Sequence, residues 1–361
     1  MKNLKLGVVG NILGRNPGFV TTQGQILSDR LTNDGYQVIS TSSRVNRVVR
    51  LAGIVGTLFQ KRNRIDILVL EVYSGLYFVL ADVASLLGRL FGIPMIFVLH
   101  GGNLAVFSTR VPAWIRRVLR RADILAAPSP FLARGLSGLG LPIRIVPNIV
   151  EIENYSFRLR ENVQPKLIWM RAFHEIYNPQ MAVKVLESVR SKYPQASLVM
   201  AGVDKGLEPE IRRMVADMGL NDAVRFAGFL GPDEKIKEFS NADIFINTNH
   251  IDNMPVSVVE ACAMGLPVVA TCVGGIPDMI TTGQNGMLVP DGDAEGMADA
   301  VVTLLGNGEL AGRLSANGRR FAEMSSWETV KPQWEALFNE ITLRQNGREI
   351  VDLPVGKAAT K

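Results

Sequence analysis

Two series of short apolar runs, each run followed by a segment of helical spacing or length, organise the 361-residue chain. The first series reads "LKLGVVG", "YQVIS", "DILVLEV", "PMIFVLH", "DILAAP" and "IRIVPN". These β-rich runs predict strands, and their alternation with helices predicts a parallel sheet covered on both faces. After Val150 the text turns polar in "EIENYSFRLRENVQPK", which marks a hinge. A second series then follows: "KLIWM", "SLVMAG", "AVRFAGF", "DIFINT", "LPVVAT" and "GMLVP". Helices are expected at 179–191, 208–218, 232–239 and 255–264, three of them opened by proline, whose missing N–H costs nothing in a first turn. The prediction is an α/β chain of two doubly wound, Rossmann-like domains facing a central cleft, residues 1–155 and 156–327, with a disordered tail at 346–361.

Ligands of open α/β sheets bind beyond the carboxyl ends of the strands, so functional residues are expected in the loops that follow them. The loops at 11–18, 100–103, 147–148, 171–174, 202–204, 228–229 and 249–257 qualify.

The last of these opens the stretch "HIDNMPVSVVEACAMGLPVVATCVGG", residues 250–275. Glu260 falls in the helix that Pro255 opens and Gly265 closes, a common place for glycine. The turn before it presents backbone N–H groups at a helix N-terminus, which suits phosphate oxygens. Asp252 and Glu260, when ionised, are pure acceptors suited to sugar hydroxyls. Phosphate between sugars describes a sugar nucleotide.

In these residues the chain resembles the family-4 retaining glycosyltransferases of GT-B architecture, the glycosyl transferase group 1 type. That family carries a Glu, seven residues and a second Glu in this loop and helix, then an Ala-x-Gly-x-Pro-Val-Val-Ala segment and a double glycine. Here the text is Asp252, Glu260 and "ACAMGLPVVATCVGG". "LIWMRAF" is similar to the strand ending in the family's diphosphate-binding Arg, "FVLHGG" to its acceptor-side His segment, "RIVPNIVE" to its interdomain boundary, and "SSWETVKPQWEALFNEI" to its closing helix. The resemblance implies that 1–155 is an acceptor domain completed by a helix at 328–345, and that 156–327 binds the nucleotide sugar. It further implies that Glu260 binds the ribose hydroxyls, Asp252 the transferred sugar and Arg171 the diphosphate, with Val256 and Ser257 offering N–H groups. The loop at Gly18 would close over the diphosphate, Phe229 would lie near the base, and His100 would touch the transferred sugar or the acceptor. Three departures stand out: Asp252 is shorter than the usual Glu, Pro255 replaces a Gly, and Ile176 stands where a Lys commonly follows the Arg.

Each residue also has a plainer reading. Glu260 could face solvent, Asp252 could cap the following helix, Arg171 could form a surface salt bridge, His100 could be structural, and Gly18 could be an ordinary turn glycine. The implied reaction is glycosyl transfer with retention, in which stabilising the departing diphosphate is the largest task, assigned to Arg171 and the helix N-terminus. No metal is required if these suffice, and no Asp/His set with metal-ligand spacing occurs in a chain of three histidines. No cofactor is expected beyond the nucleotide-diphosphate sugar, which is substrate.

Charge changes the picture in one respect. Residues 1–155 hold 18 Lys/Arg against 8 Asp/Glu, whereas the remainder holds 21 against 26. "RVNRVVRLAGIVGTLFQKRNR" and "VPAWIRRVLRRADI" interleave cations, including Arg116, Arg117, Arg120 and Arg121, with apolar residues. Such helices can lie in an anionic membrane interface, or they can pack on a core with a solvated basic face. The first case implies a glycan or lipid-linked acceptor at the inner membrane face. No aromatic stacking strand accompanies the charge, which argues against nucleic acid. Two cysteines within apolar segments and no signal peptide suggest the cytoplasm, and the longest apolar stretch is interrupted by Glu71, Asp82, Arg89 and Pro94. The competing functions are a sugar-nucleotide 2-epimerase and a non-catalytic sugar-nucleotide-binding subunit.

Overall fold

The computed structural model describes residues 4–14 and 21–345. The described residues divide into two compact units, one formed by those through Ala127, by Gly135–Val146 and by Val330–Gln345, the other by Pro128–Arg134 and Pro147–Thr329, and the tail expected at 346–361 lies outside the described residues.

The first unit contains strands β1 (Lys5–Val9), β2 (Gln37–Thr41), β3 (Ile67–Val72), β4 (Met95–Leu99), β5 (Ile124–Ala127) and β6 (Ile143–Ile145). The intervening helices are α1 (Gln23–Asn33), α2 (Arg47–Lys61), α3 (Tyr77–Leu90), α4 (Leu104–Arg110) and α5 (Pro112–Leu119), while α6 (Pro130–Gly135), which follows β5, falls in the second unit except for its last residue. The sheet is parallel throughout, in the order β2-β1-β3-β4-β5-β6. Its inner strands β3, β4 and β5 are buried along their whole length, and this is why their sequences run as unbroken apolar blocks rather than alternating.

The second unit repeats the scheme with β7 (Lys166–Met170), α7 (Pro179–Lys192), β8 (Ser197–Ala201), α8 (Glu208–Asp217), β9 (Val224–Gly228) and α9 (Pro232–Asn241). Then come β10 (Ile244–Asn247), α10 (Val256–Ala263), β11 (Val268–Thr271), β12 (Met287–Val289), α11 (Ala294–Gly306) and α12 (Gly308–Glu323). Its parallel strands run β9-β8-β7-β10-β11-β12. The order of strands therefore reverses between β7 and β10, and that is where such sheets bind ligands. In the first unit the equivalent point lies between β1 and β3.

The last helix, α13 (Trp327–Gln345), leaves the second unit at Thr329 and packs its remainder on the first. Phe338 lies 6.2 Å from the Tyr36 ring, Glu335 accepts from the Tyr36 hydroxyl at 3.0 Å, and Lys331 pairs with Asp34 at 2.8 Å. The chain passes from the first unit to the second at 146/147 and returns at 329/330. Residues 147–155 belong with the second unit for a physical reason: Val150 N–H donates to the Ser325 carbonyl at 2.9 Å. Val150, Ile152 and Tyr155 are also buried in one apolar cluster with Ile168, Phe245 and Val258. Cys262 lies in that cluster, where burial pushes its thiol up to about 12, whereas Cys272 is exposed.

Candidate functional site

Arg171 directly follows β7, and Asn249 to Asp252 follow β10, so both flank the reversal of the second sheet. The Arg171 guanidinium pairs with Asp252 Oδ2 and lies 4.2 Å from the centre of the Tyr177 ring. Its Nε is buried and has no hydrogen-bond partner among the described residues. Asp252 also accepts from Asn249 Nδ2 at 2.8 Å and, through Oδ1, from the Asn253 N–H at 2.8 Å. The N-cap position of α10 is held by Pro255, not by Asp252, and the helix begins at Val256. Asp252 is thus a partner of Arg171 rather than a cap.

Two glycines hold this acid in place. Gly274 has φ of +57°, and a Cβ there would collide with the Asp252 carbonyl oxygen, while Gly275 N–H donates to that oxygen at 2.9 Å. On the opposite flank, a Cβ on Gly202 would collide with the Arg171 carbonyl. Close backbone approach at both flanks excludes side chains, a role only glycine can fill.

At the start of α10 the N–H groups of Val256 and Ser257 make no hydrogen bond among the described residues, as the first turn of a helix requires. The Ser257 hydroxyl is buried and also unpartnered, as are Asn247 Nδ2 and Asn249 Oδ1. Orphaned buried polar atoms are rare in folded proteins and call for an explanation. Here Arg171, Asn247, Asn249 and Ser257 gather around one switch point, an arrangement suited to an anionic ligand with hydroxyl groups.

Glu260 lies one turn further along α10 and is only 6% exposed, so it does not face solvent. Its Oε1 accepts from the Tyr155 hydroxyl at 2.8 Å and from Lys235 of α9. Burial, and next the charge of Glu260, raise the Tyr155 phenol far above its ordinary value, so it remains a neutral donor. Sequence reasoning passed over both partners. Tyr155 and Lys235 lie 105 and 25 residues from Glu260 in the chain, with no motif to connect them. Phe229 follows β9 and is half exposed. Ile176, in the place of the expected lysine, is exposed, and His174 Nδ1 accepts from the Ile176 N–H at 3.2 Å, capping a short turn.

In the first unit, His100 follows β4 and is buried, with Nε2 3.3 Å from Glu71 Oε1 and its ring stacked on Tyr73 at 4.9 Å. Glu71 Oε2 accepts from the Asn11 N–H at 3.2 Å. Side chains on Gly10 or Gly24 would collide with this carboxylate. Sequence reasoning used Glu71 only as an interruption of an apolar stretch. The signal was there: a lone carboxylate inside a run such as "ILVLEV" is costly to bury without a purpose. Gly18 lies outside the described residues.

The four arginines of the α5 region divide. Arg121 donates to Asp82 Oδ1 at 2.6 Å and to Ser85 Oγ at 2.9 Å, and Arg117 pairs with Asp82 at 3.4 Å, while Trp114 Nε1 donates to Asp82 at 2.6 Å. Arg116 donates to the Gly138 carbonyl at 3.2 Å, and Arg120 is exposed. Exposed apolar side chains include Val45, Val48, Val49 and Phe59 around α2, Leu76, Val79, Leu86 and Leu90 around α3, and Val106 of α4. Arg50, one of the cations of the α2 segment, is buried, donating to Asn11 and to the Arg44 and Val45 carbonyls. Among the described residues no helix is long and apolar enough to cross a membrane.

Comparison with known proteins locates two family matches. Residues 151–321 match the model of glycosyl transferases group 1, and residues 20–148 match a glycosyl transferase 4-like domain. A D-inositol 3-phosphate glycosyltransferase of Acidothermus cellulolyticus is 29% identical over 285 residues, covering 70% of this chain and 64% of the relative, less than two-thirds of its length. A GDP-mannose-dependent phosphatidylinositol monomannoside mannosyltransferase of Mycobacterium tuberculosis is 27% identical over 187 residues, or 50% of this chain and 47% of the relative. Among solved structures, Anabaena HepE in complex with UDP and glucose superimposes with a TM-score of 0.74 at 15% identity, covering 94% of this chain and all of that one. That likeness shows the fold, which is of the two-domain GT-B type.

Proposed function

Because the chain belongs to the group 1 glycosyl transferase family, we propose that it moves a sugar from a nucleoside-diphosphate donor to a hydroxyl acceptor with retention at the anomeric carbon and without a metal. The observation that carries this reading is the convergence at the β7/β10 switch point of Arg171, the open N-terminus of α10 and the orphaned Ser257 hydroxyl. An anion seated there would satisfy all three. In the reaction the bond from the anomeric carbon to the diphosphate oxygen breaks as negative charge builds on that oxygen. The acceptor oxygen bonds the same carbon from the same face, and its proton leaves with the departing phosphate. Arg171 and the α10 N–H groups stabilise the growing charge, which is the role a metal plays elsewhere. The pairing of Arg171 with Asp252 keeps the cation in position while unloaded, and Asp252 is then released towards the hydroxyls of the sugar.

The acceptor side of the proposal is a lipid-linked or polysaccharide precursor at an anionic membrane surface. It is supported by the apolar side chains exposed around α2 and α3, together with Arg44, Arg47, Arg62, Arg64 and Arg89, all exposed in the same segments. Cations beside exposed apolar residues fit anionic head groups above acyl chains. Because Arg117 and Arg121 are engaged by Asp82, the α2–α3 surface, more than α5, is the part that meets lipid.

Incubating the full chain with UDP-, GDP- and ADP-sugars and lipid-linked acceptors, in the presence of EDTA, tests the reading. It predicts release of one nucleoside diphosphate and an anomeric coupling constant matching the donor's. Inverted product, or turnover only on adding a divalent ion, would contradict it. Substituting Val48, Val49 and Phe59 by Ser is expected to reduce flotation with vesicles containing anionic lipid by about tenfold, from the apolar area lost, and unchanged flotation would remove the membrane part.

A further inference from the structure

Glu260 has a buried carboxylate with its hydrogen bonds unevenly distributed. Tyr155 Oη and Lys235 Nζ both donate to Oε1, and Oε2 has no partner among the described residues. A carboxylate offers about four acceptor positions, two on each oxygen. With both positions of Oε1 filled, the two of Oε2 remain. The two donors also fix the rotation of the carboxylate, because each comes from a different and independently anchored segment. Tyr155 closes the short turn at Ile152–Asn154 and is buried in the apolar cluster under α10. Lys235 projects from α9, with its ammonium 5.9 Å from the centre of the Tyr155 ring. The Tyr155 phenol stays protonated, as burial and the neighbouring charge require, and so remains a donor at any pH at which the protein functions.

We infer that Tyr155 and Lys235 are positioning residues that hold Glu260 so that Oε2 alone receives the ribose hydroxyls of the donor. The inference rests on the donor-site reading of Glu260 given above and extends it to two residues and one oxygen atom. The pair does more than neutralise a buried acid. A lone lysine would offset the charge but leave the carboxylate free to turn, and a lone tyrosine would orient it without offsetting the cost of keeping it ionised away from water. Together they present a charged acceptor whose orientation does not have to be ordered when ligand binds, and preorganisation of this kind improves selectivity as well as affinity. A site built to accept a hydroxyl hydrogen also rejects a ligand lacking that hydroxyl, because its own group is then left unpaired. The chemistry recognised is therefore the 2′,3′-diol of a ribonucleoside diphosphate.

The test measures discrimination rather than affinity alone. Calorimetric titration of the full chain with UDP, GDP and ADP identifies the preferred base, and the 2′-deoxy and 3′-deoxy forms of that nucleotide are then compared with the ribo form. The wild-type protein is expected to prefer the ribo form by about ten- to a hundredfold, as for a hydrogen bond to a charged group. In Lys235→Met and in Tyr155→Phe the preference should fall to within about threefold, while affinity for the deoxy forms stays near the wild-type value; Lys235→Arg should restore most of it. A substitution that merely damaged the fold would weaken all forms alike, so the ratio isolates the positioning role, and two independent variants guard against one failing to fold. A ribo preference left intact in both Lys235→Met and Tyr155→Phe would overturn the inference. Failure of the wild-type protein to bind any nucleoside diphosphate would instead overturn the donor-site reading, and binding without a ribo preference would remove the role of Glu260 itself.

Discussion

The two switch points of the molecule share a topology and differ in chemistry. Between β1 and β3 the central group is an acid, Glu71, wedged against Gly10 and Gly24 and facing His100. The nearby cation Arg50 is spent on Asn11 and two backbone carbonyls. Between β7 and β10 the central group is a cation, Arg171, with an unpartnered Nε and an open helix N-terminus close in sequence to its partner Asp252. Acceptors at the first point suit a ligand that presents hydroxyl hydrogens; donors at the second suit one that presents phosphate oxygens. Parallel sheets of this kind fix where a ligand sits, and a few side chains decide the sign of what it carries.

Removing the charge of each central group in turn should separate the two points. Arg171→Ala is expected to lower turnover by about a hundred- to a thousandfold, the range for removing one preorganised donor to a developing anion. The acceptor KM should change little, so a loss confined to acceptor KM would contradict the assignment. Glu71→Gln is expected to act in the opposite sense, raising acceptor KM by about tenfold, as for a lost charge-assisted hydrogen bond. Hydrolysis of the donor in water should be nearly unchanged, and a parallel fall in hydrolysis would show that the two points are not chemically distinct.

The smallest effect concerns the first unit's own scaffold. Burial acts to raise the Asp82 pKa, but hydrogen bonds from Trp114 and Arg121 outweigh it and hold the carboxyl below its ordinary value of 3.8. A carboxyl depressed by folding stabilises the native state above that ordinary value and loses the contribution as pH falls through the folded value. Asp82→Asn should therefore lower Tm at neutral pH, by a few degrees at most for a partly exposed pair, with the gap from wild type closing below about pH 4. A gap that persists unchanged at acid pH would point to packing instead of charge.

The strands were legible because runs such as "ILVLEV" and "VVAT" are buried on both faces and carry the signal locally, whereas the strand order that sets the reversal depends on long-range pairing. Arg171, Asp252 and Glu260 could be singled out for a related reason: Arg171 directly follows β7, and Asp252 and Glu260 lie in the loop and helix after β10, so position in the chain reports position in the sheet. The partners of Glu260 could not be read in this way. Tyr155 falls in the polar stretch after Val150, and Lys235 carries no local motif, because their roles depend on tertiary contacts with α10. The partners of the basic segments depend on tertiary contacts in the same way. Arg50 belongs to the basic α2 segment, but its guanidinium finds backbone carbonyls inside the fold, and Arg121 just after α5 finds Asp82 of α3.

The central claim is that the β7/β10 switch point holds a nucleoside diphosphate, and a thermal-shift comparison of UDP, GDP and ADP with their parent nucleosides tests it most directly. A ligand that binds only the folded protein raises Tm in proportion to the logarithm of its concentration over Kd. The account predicts a clear rise with one diphosphate, a much smaller rise with its nucleoside, and loss of the difference in Arg171→Ala. Equal shifts with diphosphate and nucleoside, or a diphosphate shift that survives Arg171→Ala undiminished, would contradict it.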